Sequence, residues 1–190
     1  MKIGLLALQG AFREHCCMLE KCGIDTMEVR LPLQLDGIDG LIIPGGESTT
    51  MGKLLIEYGF KEALKAFAAV GKPIFGTCAG AILLADRKDG TTQELLNLID
   101  IDISRNAYGR QIDSREVPVQ LSFSDSTPFR GIFIRAPIIQ ASGPDVIPLG
   151  FYQDKVILAR QGIILVSTFH PELTADVRVH RYFIDMVRRS

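Results

Sequence analysis

The sequence predicts an α/β fold, built on a doubly wound, mostly parallel sheet with helices on both faces. In the first half of the chain, short apolar runs alternate with segments of helical periodicity, which is the pattern of parallel strands joined by crossover helices. The apolar runs are nearly continuous, as in strands buried on both faces. The second half has shorter strands and little helix, which predicts an antiparallel extension. The 190 residues, 47% of them hydrophobic, suit one domain over residues 1–190.

Four apolar segments in the first half predict the parallel strands, at residues 3–8, 26–30, 40–43 and 73–75. Helical spacing predicts helices at residues 11–22, 51–58 and 60–70, and a further apolar helix begins at residue 81. In the first helix, Phe12, Cys16, Leu19 and Cys22 fall at helical spacing, and Gly23 ends the helix. Functional sites in such folds lie beyond the carboxyl ends of the strands.

The second half predicts seven short strands, at residues 98–103, 117–123, 131–134, 138–141, 146–150, 156–160 and 163–168. Turns rich in Ser, Asp, Gly and Pro separate several of them, at residues 124–128, 142–145 and 161–162. The last element is a helix at residues 176–189, with Val179, Tyr182, Phe183 and Met186 on one stripe.

Composition argues against several classes of partner and location. The formal net charge of -1 gives no electrostatic reason to expect binding to nucleic acid or to an anionic membrane. No apolar stretch approaches the roughly 20 residues of a membrane helix, and the apolar start is too short for a signal peptide, so we expect a cytoplasmic protein. The four cysteines are not spaced as a disulfide framework or a zinc site, so no metal site is expected.

The segment Gly76-Thr77-Cys78-Ala79-Gly80 joins a predicted strand to a predicted helix. A cysteine between glycines at such a turn is the thiol counterpart of the nucleophile elbow. The glycines permit a strained backbone, and the amides at the start of the new helix favour the thiolate. For this segment alone, a small cysteine buried in the core is the competing interpretation.

A cysteine nucleophile needs a base, and the chain has three histidines. His15, beside charged residues, is expected at the surface or facing a partner, and His180 is expected to be exposed or to have a packing role. His170 directly follows a predicted strand, at the same sheet edge as Cys78, and Glu172 is placed to hold its imidazole by a hydrogen bond. His-Pro-Glu alone would be an ordinary polar turn, but together with the elbow it predicts a Cys-His-Glu triad.

The loop Pro44-Gly45-Gly46-Glu47-Ser48 follows the third predicted strand. Its glycines expose backbone amides which, with the amide of Ala79, could stabilise an oxyanion. A phosphate-binding loop or a merely tight turn is the alternative, although the spacing to Gly52-Lys53 is not that of a Walker motif.

Together these residues resemble the class I (triad) glutamine amidotransferases, whose fold is flavodoxin-like. More narrowly, the chain is similar to the glutaminase subunits of pyridoxal 5'-phosphate synthase, from near the first residue to the last helix. The segments that carry the resemblance are Leu8-Gln9-Gly10, Arg13-Glu14-His15, Pro44 to Thr50, Gly76 to Gly80, Arg105-Asn106-Ala107-Tyr108-Gly109-Arg110-Gln111, Phe133-Ile134-Arg135-Ala136-Pro137 and His170-Pro171-Glu172-Leu173-Thr174. The elbow and His-x-Glu mark the superfamily, whereas the segments beginning at Gly45, Arg105 and Phe133 are together specific to the subfamily.

The resemblance implies hydrolysis of L-glutamine to L-glutamate and ammonia, with no cofactor. It implies Cys78 as nucleophile, His170 as acid and base, and Glu172 as the residue that orients His170. The amides of Gly46 and Ala79 become the oxyanion donors. The residues implied for glutamine binding are Gly46, Glu47, Ser48, Arg105, Ile134 and Arg135. Arginine suits the substrate α-carboxylate, although surface salt bridges would be favoured for both arginines without the resemblance.

The resemblance also implies a partner. The ammonia passes to a TIM-barrel synthase subunit, which builds pyridoxal phosphate from a pentose phosphate and a triose phosphate within a large hetero-oligomer. Such glutaminases are typically activated by the partner. Gln9 and the first helix are candidates for the contact, because Gln9 lies at a strand end beside the oxyanion loop. Ser104 and Arg115 depart from the family pattern, which leaves local packing or partner contacts open.

Three other functions remain open from the sequence. A glutaminase serving histidine or purine synthesis would have the same triad and a different partner. A DJ-1-like cysteine peptidase or stress protein also carries an elbow cysteine, but does not need His-x-Glu after the last strand. A non-catalytic subunit with a vestigial site is disfavoured, because Cys78, His170 and Glu172 are all present.

Overall fold

The computed structural model describes residues 1–88, 95–105, 114–124 and 127–190. Its strands are β1 Lys2–Leu6, β2 Asp25–Val29, β3 Gly40–Ile43, β4 Ile74–Thr77, β5 Ala85–Lys88, β6 Ile99–Ser104, β7 Ser114–Leu121, β8 Phe129–Ile134, β9 Ile138–Ser142, β10 Ile147–Tyr152, β11 Lys155–Gln161 and β12 Ile164–Ser167. Its α-helices are α1 Phe12–Lys21, α2 Ser48–Glu57, α3 Phe60–Ala69, α4 Ala79–Leu84 and α5 Arg178–Arg188. Two 3₁₀ turns span Pro32–Gly37 and Pro171–Leu173.

The larger sheet has the order β2-β1-β3-β4-β12-β11-β10-β7-β8 within the described residues. The run from β2 to β12 is parallel throughout, and every later pairing is antiparallel. This confirms the predicted α/β fold, a doubly wound parallel sheet with an antiparallel extension. A smaller sheet, β5-β6-β9, includes β5, which the sequence did not predict.

Both faces of the parallel strands are covered by helices. On one face, Leu55 of α2 and Phe60 and Leu64 of α3 join a buried apolar cluster. On the other face, Leu19 of α1 and Phe183 of α5 belong to a second cluster. The core therefore lies on both sides of the sheet, and the ends of the strands, which are not needed for the core, can carry polar functional residues. Among the described residues, no helix is long and apolar enough to cross a membrane.

Two helices begin at positions other than the predicted ones. Helix α2 begins at Ser48 rather than at residue 51, since the Glu47 carboxylate accepts hydrogen bonds from Thr49 N at 3.1 Å and Thr50 N at 2.7 Å. Helix α5 begins two residues later than predicted, where Asp176 Oδ1 accepts from Arg178 N at 3.0 Å. The predicted turn at residues 124–128 falls partly outside the described residues.

Register places the ends of two neighbouring parallel strands side by side. β4 and β12 pair directly, with Thr77 opposite Ser167. The chain leaves β4 through Cys78 and leaves β12 toward His170, so both residues emerge at the carboxyl edge of the sheet. β3 pairs with the other side of β4 and delivers the glycine loop to the same edge.

Candidate active site

The turn from β4 into α4 is a strained elbow with Cys78 at its corner. Cys78 has φ 48° and ψ −101°, a conformation that costs a residue with a side chain roughly 1–3 kcal/mol. Its N–H donates to Ser167 O at 2.8 Å, which ties the corner to β12. Gly80 allows the following helix to approach β3, because a Cβ there would lie 2.1 Å from Ile43 O. The elbow expected from the sequence is therefore present, with Cys78 7% exposed.

His170 and Glu172 form a buried pair beside this corner. The 3₁₀ turn Pro171–Leu173 folds Glu172 back, and His170 Nδ1 lies 2.7 Å from Glu172 Oε1. His170 N donates to Ile132 O of β8 at 2.7 Å, which fixes the start of the turn. Gly45 faces both His170 and Cys78, since a Cβ on Gly45 would lie 2.4 Å from His170 Cε1 and 3.4 Å from Cys78 Cβ. The structure thus brings Cys78, His170 and Glu172 together.

The electrostatics of the pair favour a charged His170. Burial acts to lower the pKa of His170, but hydrogen bonds with Cys78 and Glu172 outweigh it and raise this pKa to about 10. Burial acts to raise the pKa of Glu172, but His15 and His170 outweigh it, so the Glu172 carboxyl stays ionised below its usual range. The pair is therefore an imidazolium beside a carboxylate at neutral pH, and its proton is available to a group bound next to Cys78.

The loop after β3 is supported by the segment after β1. Ala11 N donates to Gly45 O at 3.0 Å, and Gln9 Oε1 accepts from Glu47 N at 3.0 Å. Gly10 has φ 102°, and a Cβ there would lie 2.0 Å from Gly45 O, so only glycine fits this crossing. Gln9 lies beside the glycine loop as predicted, but three residues beyond the end of β1 at Leu6 rather than directly at a strand end.

A cavity of about 550 Å³ opens above Cys78, within the size range of small-molecule sites. Apart from Glu172, which lies behind His170, it is lined by every residue predicted for catalysis, oxyanion stabilisation or glutamine binding: Gly46, Glu47, Ser48, Cys78, Ala79, Arg105, Ile134, Arg135 and His170. Cys78 Sγ lies 3.9 Å from Ile134 O on the opposite wall. Arg135, with φ 42°, follows in the left-handed region.

Opposite charges meet at the rim of this cavity. Arg105 Nη2 donates to Glu47 Oε1 at 3.0 Å, and Arg105 Nη1 donates to Thr49 Oγ1 at 3.1 Å. Burial acts to raise the pKa of Glu47, but hydrogen bonds from Thr50 and Thr49 outweigh it and lower this pKa to about 2. A cation and an anion are thus held side by side. The rest of the motif that begins at Arg105, residues 106–111, lies outside the described residues.

The expectation that His15 lies at the surface is wrong. His15 is fully buried on the face of α1 that also buries Met18 and Leu19, so Phe12, Cys16 and Cys22 are only partly covered. The signal was the spacing: His15 precedes Met18 and Leu19 by three and four residues.

His180 is fully buried on α5, which agrees with its packing alternative and not with an exposed position.

Neither of the two departures from the family pattern, Ser104 and Arg115, lines the cavity. The Arg115 guanidinium carbon lies 4.7 Å from the Tyr152 ring centroid and 5.6 Å from that of Phe133, so Arg115 packs on aromatic faces. Ser104 is the last residue of β6. Among the described residues, no cluster of His, Cys, Asp and Glu side chains is arranged to hold a metal ion.

Comparison with known proteins identifies the family to which the chain is similar over its whole length. A family model described as the SNO glutamine amidotransferase family matches residues 5–189. A pyridoxal 5'-phosphate synthase subunit PdxT of Pelotomaculum thermopropionicum is 50% identical over 190 residues, 100% of this chain and 97% of that one. The protein of the same name from Carboxydothermus hydrogenoformans is 51% identical over 187 residues, 98% of each chain. A crystal structure of a glutamine amidotransferase is 45% identical, with a TM-score of 0.93 over 98% of each chain.

Proposed function

Because the chain belongs to the SNO glutamine amidotransferase family, we propose that it hydrolyses L-glutamine to L-glutamate and ammonia. The observation that carries the proposal is the arrangement at the ends of β4 and β12. There the Glu172–His170 pair, 2.7 Å apart, adjoins a strained cysteine at the floor of a cavity. The likeness of the whole chain to proteins named pyridoxal 5'-phosphate synthase subunit PdxT supports a synthase subunit as the acceptor of the ammonia.

In the first half of the reaction, His170 already holds the proton that came from the Cys78 thiol, and the Cys78 sulfur attacks the side-chain carbonyl carbon of glutamine. The raised pKa of His170 favours holding that proton. The carbonyl oxygen becomes an oxyanion, which the amides of Gly46 and Ala79 stabilise. When the tetrahedral intermediate collapses, the C–N bond breaks and His170 gives its proton to the departing nitrogen, which leaves as ammonia. A thioester between Cys78 and the glutamyl group remains.

In the second half, His170 is neutral and takes a proton from a water molecule. The hydroxide attacks the thioester carbonyl, the C–S bond breaks, and Cys78 leaves as thiolate or takes back the proton from His170. Glu172 keeps Nδ1 of His170 protonated, so Nε2 is the atom that exchanges the proton in both halves. Both halves therefore use the same imidazole nitrogen.

The rim of the cavity suits the amino-acid end of glutamine. A zwitterion has an α-carboxylate and an α-ammonium group, and Arg105 and Glu47 present a matching cation and anion. Gly46, Ser48, Ile134 and Arg135 complete the walls that hold the substrate. Recognition of the amino-acid end of glutamine is thus assigned to the rim of the cavity, and cleavage of the side-chain amide to Cys78 and His170 at its floor.

The synthase subunit receives the ammonia in a hetero-oligomer, and the chain acts in the cytoplasm. Gln9 and α1 form part of the contact surface, since Gln9 bonds to Glu47 N at 3.0 Å and so connects that surface to the glycine loop. A single domain over residues 1–190 carries these activities, without a cofactor of its own.

The first test measures glutamate released from L-glutamine by the full chain, alone and with its cognate synthase subunit. Cys78→Ala and His170→Ala should each lower the rate by about 10³-fold or more, since triad residues act as a unit. Cys22→Ala removes a thiol that does not line the cavity and should retain the rate. Wild-type activity that survives Cys78→Ala would contradict the assignment.

The second test concerns the partner. The mixture of both subunits is given a pentose phosphate and a triose phosphate, with glutamine or an ammonium salt as the nitrogen source, and pyridoxal phosphate is measured. The Cys78→Ala mixture should form product from ammonium and not from glutamine. A chain that hydrolyses glutamine yet never supports pyridoxal phosphate formation would retain the glutaminase assignment and refute this partner.

A further inference from the structure

Beneath the Glu172–His170 pair lies a group of buried polar side chains that the reaction scheme does not use. His15 of α1, Thr77 of β4 and His180 of α5 are each 0% exposed. His15 Nδ1 lies 2.9 Å from His180 Nε2, and His15 Nε2 lies 3.1 Å from Thr77 Oγ1. His15 Nε2 also lies 3.4 Å from Glu172 Oε2. His15 therefore approaches the carboxylate oxygen that His170 does not contact, while Thr77 and His180 contact His15.

Both of these histidines are neutral at physiological pH. Burial lowers the pKa of His15, although the Glu172 and Glu14 carboxylates act in the opposite direction. Burial, with His15, lowers the pKa of His180 to about 3. The ring of Phe75 stands edge-on to both imidazoles, with centroid distances of 6.1 Å and 6.3 Å, so the surroundings are apolar. His180 and Thr77 are therefore hydrogen-bond partners of a neutral His15 ring, and the ionised Glu172 carboxylate is the charged group that faces it.

The contacts determine which nitrogen of each ring carries the proton. Glu172 Oε2 makes no hydrogen bond of good geometry among the described residues, although His15 Nε2 lies 3.4 Å from it, and an ionised carboxylate needs a donor. A proton on Nε2 of His15 faces both Thr77 Oγ1, at 3.1 Å, and this carboxylate oxygen, at 3.4 Å, and so supplies a donor next to it. Nδ1 of His15 is then an acceptor, so His180 must donate from its Nε2. His180 Nδ1, which also lacks a partner among those residues, is then a bare lone pair rather than a buried N–H.

The opposite tautomer of His15, with the proton on Nδ1, gives unfavourable contacts at both ring nitrogens. A proton on Nδ1 of His15 would turn the lone pair of its Nε2 toward the ionised Glu172 oxygen. It would also require His180 to accept at Nε2 and to bury an N–H at Nδ1 without an acceptor. Buried N–H groups of this kind are rare because they forfeit a hydrogen bond.

We propose that His15 is a positioning residue of the glutaminase reaction, whose Nε2–H holds Glu172 Oε2 while His180 fixes the tautomer of His15. Each carboxylate oxygen of Glu172 then faces a histidine donor, His15 at Oε2 and His170 at Oε1. These two contacts hinder rotation of the carboxylate away from the imidazole of His170. This inference rests on the proposed function, since it names a residue that serves the same triad.

The kinetic test compares variants of His15 in the full chain with its synthase subunit. His15→Leu should lower kcat by about 10-fold to 100-fold, which is the size of a lost hydrogen bond to a charged group, and leave KM unchanged. It should also shift the acid limb of the kcat profile to higher pH, because Glu172 loses a donor that favours its ionised form. His15→Gln keeps a side-chain N–H near the position of Nε2 and should recover most of the rate and the wild-type profile.

The matched control is Leu19→Ala, on the same buried face of α1 and outside the cavity. It should lower the melting temperature by as much as His15→Leu while kcat and its pH profile stay as in the wild type. If His15→Leu behaves like Leu19→Ala, with lower stability and unchanged kinetics, the role is structural and the proposal is overturned.

A second measurement does not depend on activity or on the variants folding. Long-range ¹H–¹⁵N spectra of the wild-type chain report which nitrogen of each neutral imidazole carries the proton, and only three histidines need to be assigned. His15 and His180 should both appear as neutral Nε2–H tautomers. An Nδ1–H tautomer or a positive charge on His15 at neutral pH would refute the proposal. A wild-type chain without glutaminase activity would instead refute the proposed function while leaving this spectrum interpretable.

Discussion

Replacement of Gly45 by alanine tests the geometry of the catalytic pair without touching a reacting group. Gly45 lies in the loop after β3, and a Cβ built on it would be 2.4 Å from His170 Cε1 and 3.0 Å from His170 Nδ1. Ordinary van der Waals contact begins at 3.4 Å, so the ring must move by roughly 1 Å. The ring is fixed by the 2.7 Å bond to Glu172 and cannot retreat without breaking it.

The expected consequence is a loss of rate larger than the loss of stability. A displacement of about 1 Å in a catalytic group can cost about 100-fold in rate, so Gly45→Ala should lower kcat by about that factor. Overpacking of a well-packed site costs about 1–3 kcal/mol, so the chain should still fold with a reduced melting temperature. Glutamate release with the synthase subunit present gives kcat, and thermal unfolding gives stability.

Gly37→Ala is the matched control. Gly37 has an ordinary φ, and a Cβ there would meet only Met27 Cε, at the relaxed distance of 3.7 Å. Its kcat and melting temperature should both stay near the wild-type values. If Gly45→Ala also keeps the wild-type kcat, the imidazole is not held where the structure places it, and the reaction scheme built on the 2.7 Å pair is wrong.

Two further predictions concern charge. The raised pKa of His170 adds stability that is fully present below about pH 6.5 and is lost as pH rises through about 10. Glu172→Gln removes the carboxylate partner, so the melting temperature should fall less steeply with pH over that window. A slope equal to that of the wild type would contradict the ion pair between His170 and Glu172. Glu47→Ala removes the N-cap of α2, which should cost about 1 kcal/mol of unfolding free energy and raise KM for glutamine, whereas exposed Glu57→Ala should do neither. An unchanged KM in Glu47→Ala would argue against a role for Glu47 in holding substrate.

The parts of the site that the sequence predicts are those tied to strand ends. Cys78 and His170 each follow an apolar run, and parallel strands deliver their carboxyl ends to one edge, so nearness follows once the sheet is predicted. The Gly45–Gly46 loop follows β3 and reaches the same edge for the same reason.

The rest depends on tertiary contacts that no local pattern encodes. His15 looked like a surface residue because charged neighbours flank it, and its burial is favoured by partners from β4 and α5. Helix α2 begins earlier than predicted because Glu47 caps it, and α5 begins later, at Arg178, whose N–H donates to Asp176 Oδ1. Both contacts depend on where the carboxylates lie in the folded chain. The contact of Arg105 with Glu47 joins residues 58 positions apart, a separation that periodicity cannot resolve.

The strained backbone conformation of Cys78 is held in place by contacts with β12 and the residues that follow it. A φ of 48° persists only where neighbouring contacts overdetermine it, and here the Cys78 N–H is bonded to Ser167 O at 2.8 Å. The Ser167 hydroxyl in turn donates to Phe169 O at 2.9 Å, which directs the chain into His170. The position of the thiol relative to the imidazole is therefore set by the register of β4 against β12. A substitution that shifts this register should lower the rate even where every triad residue is intact.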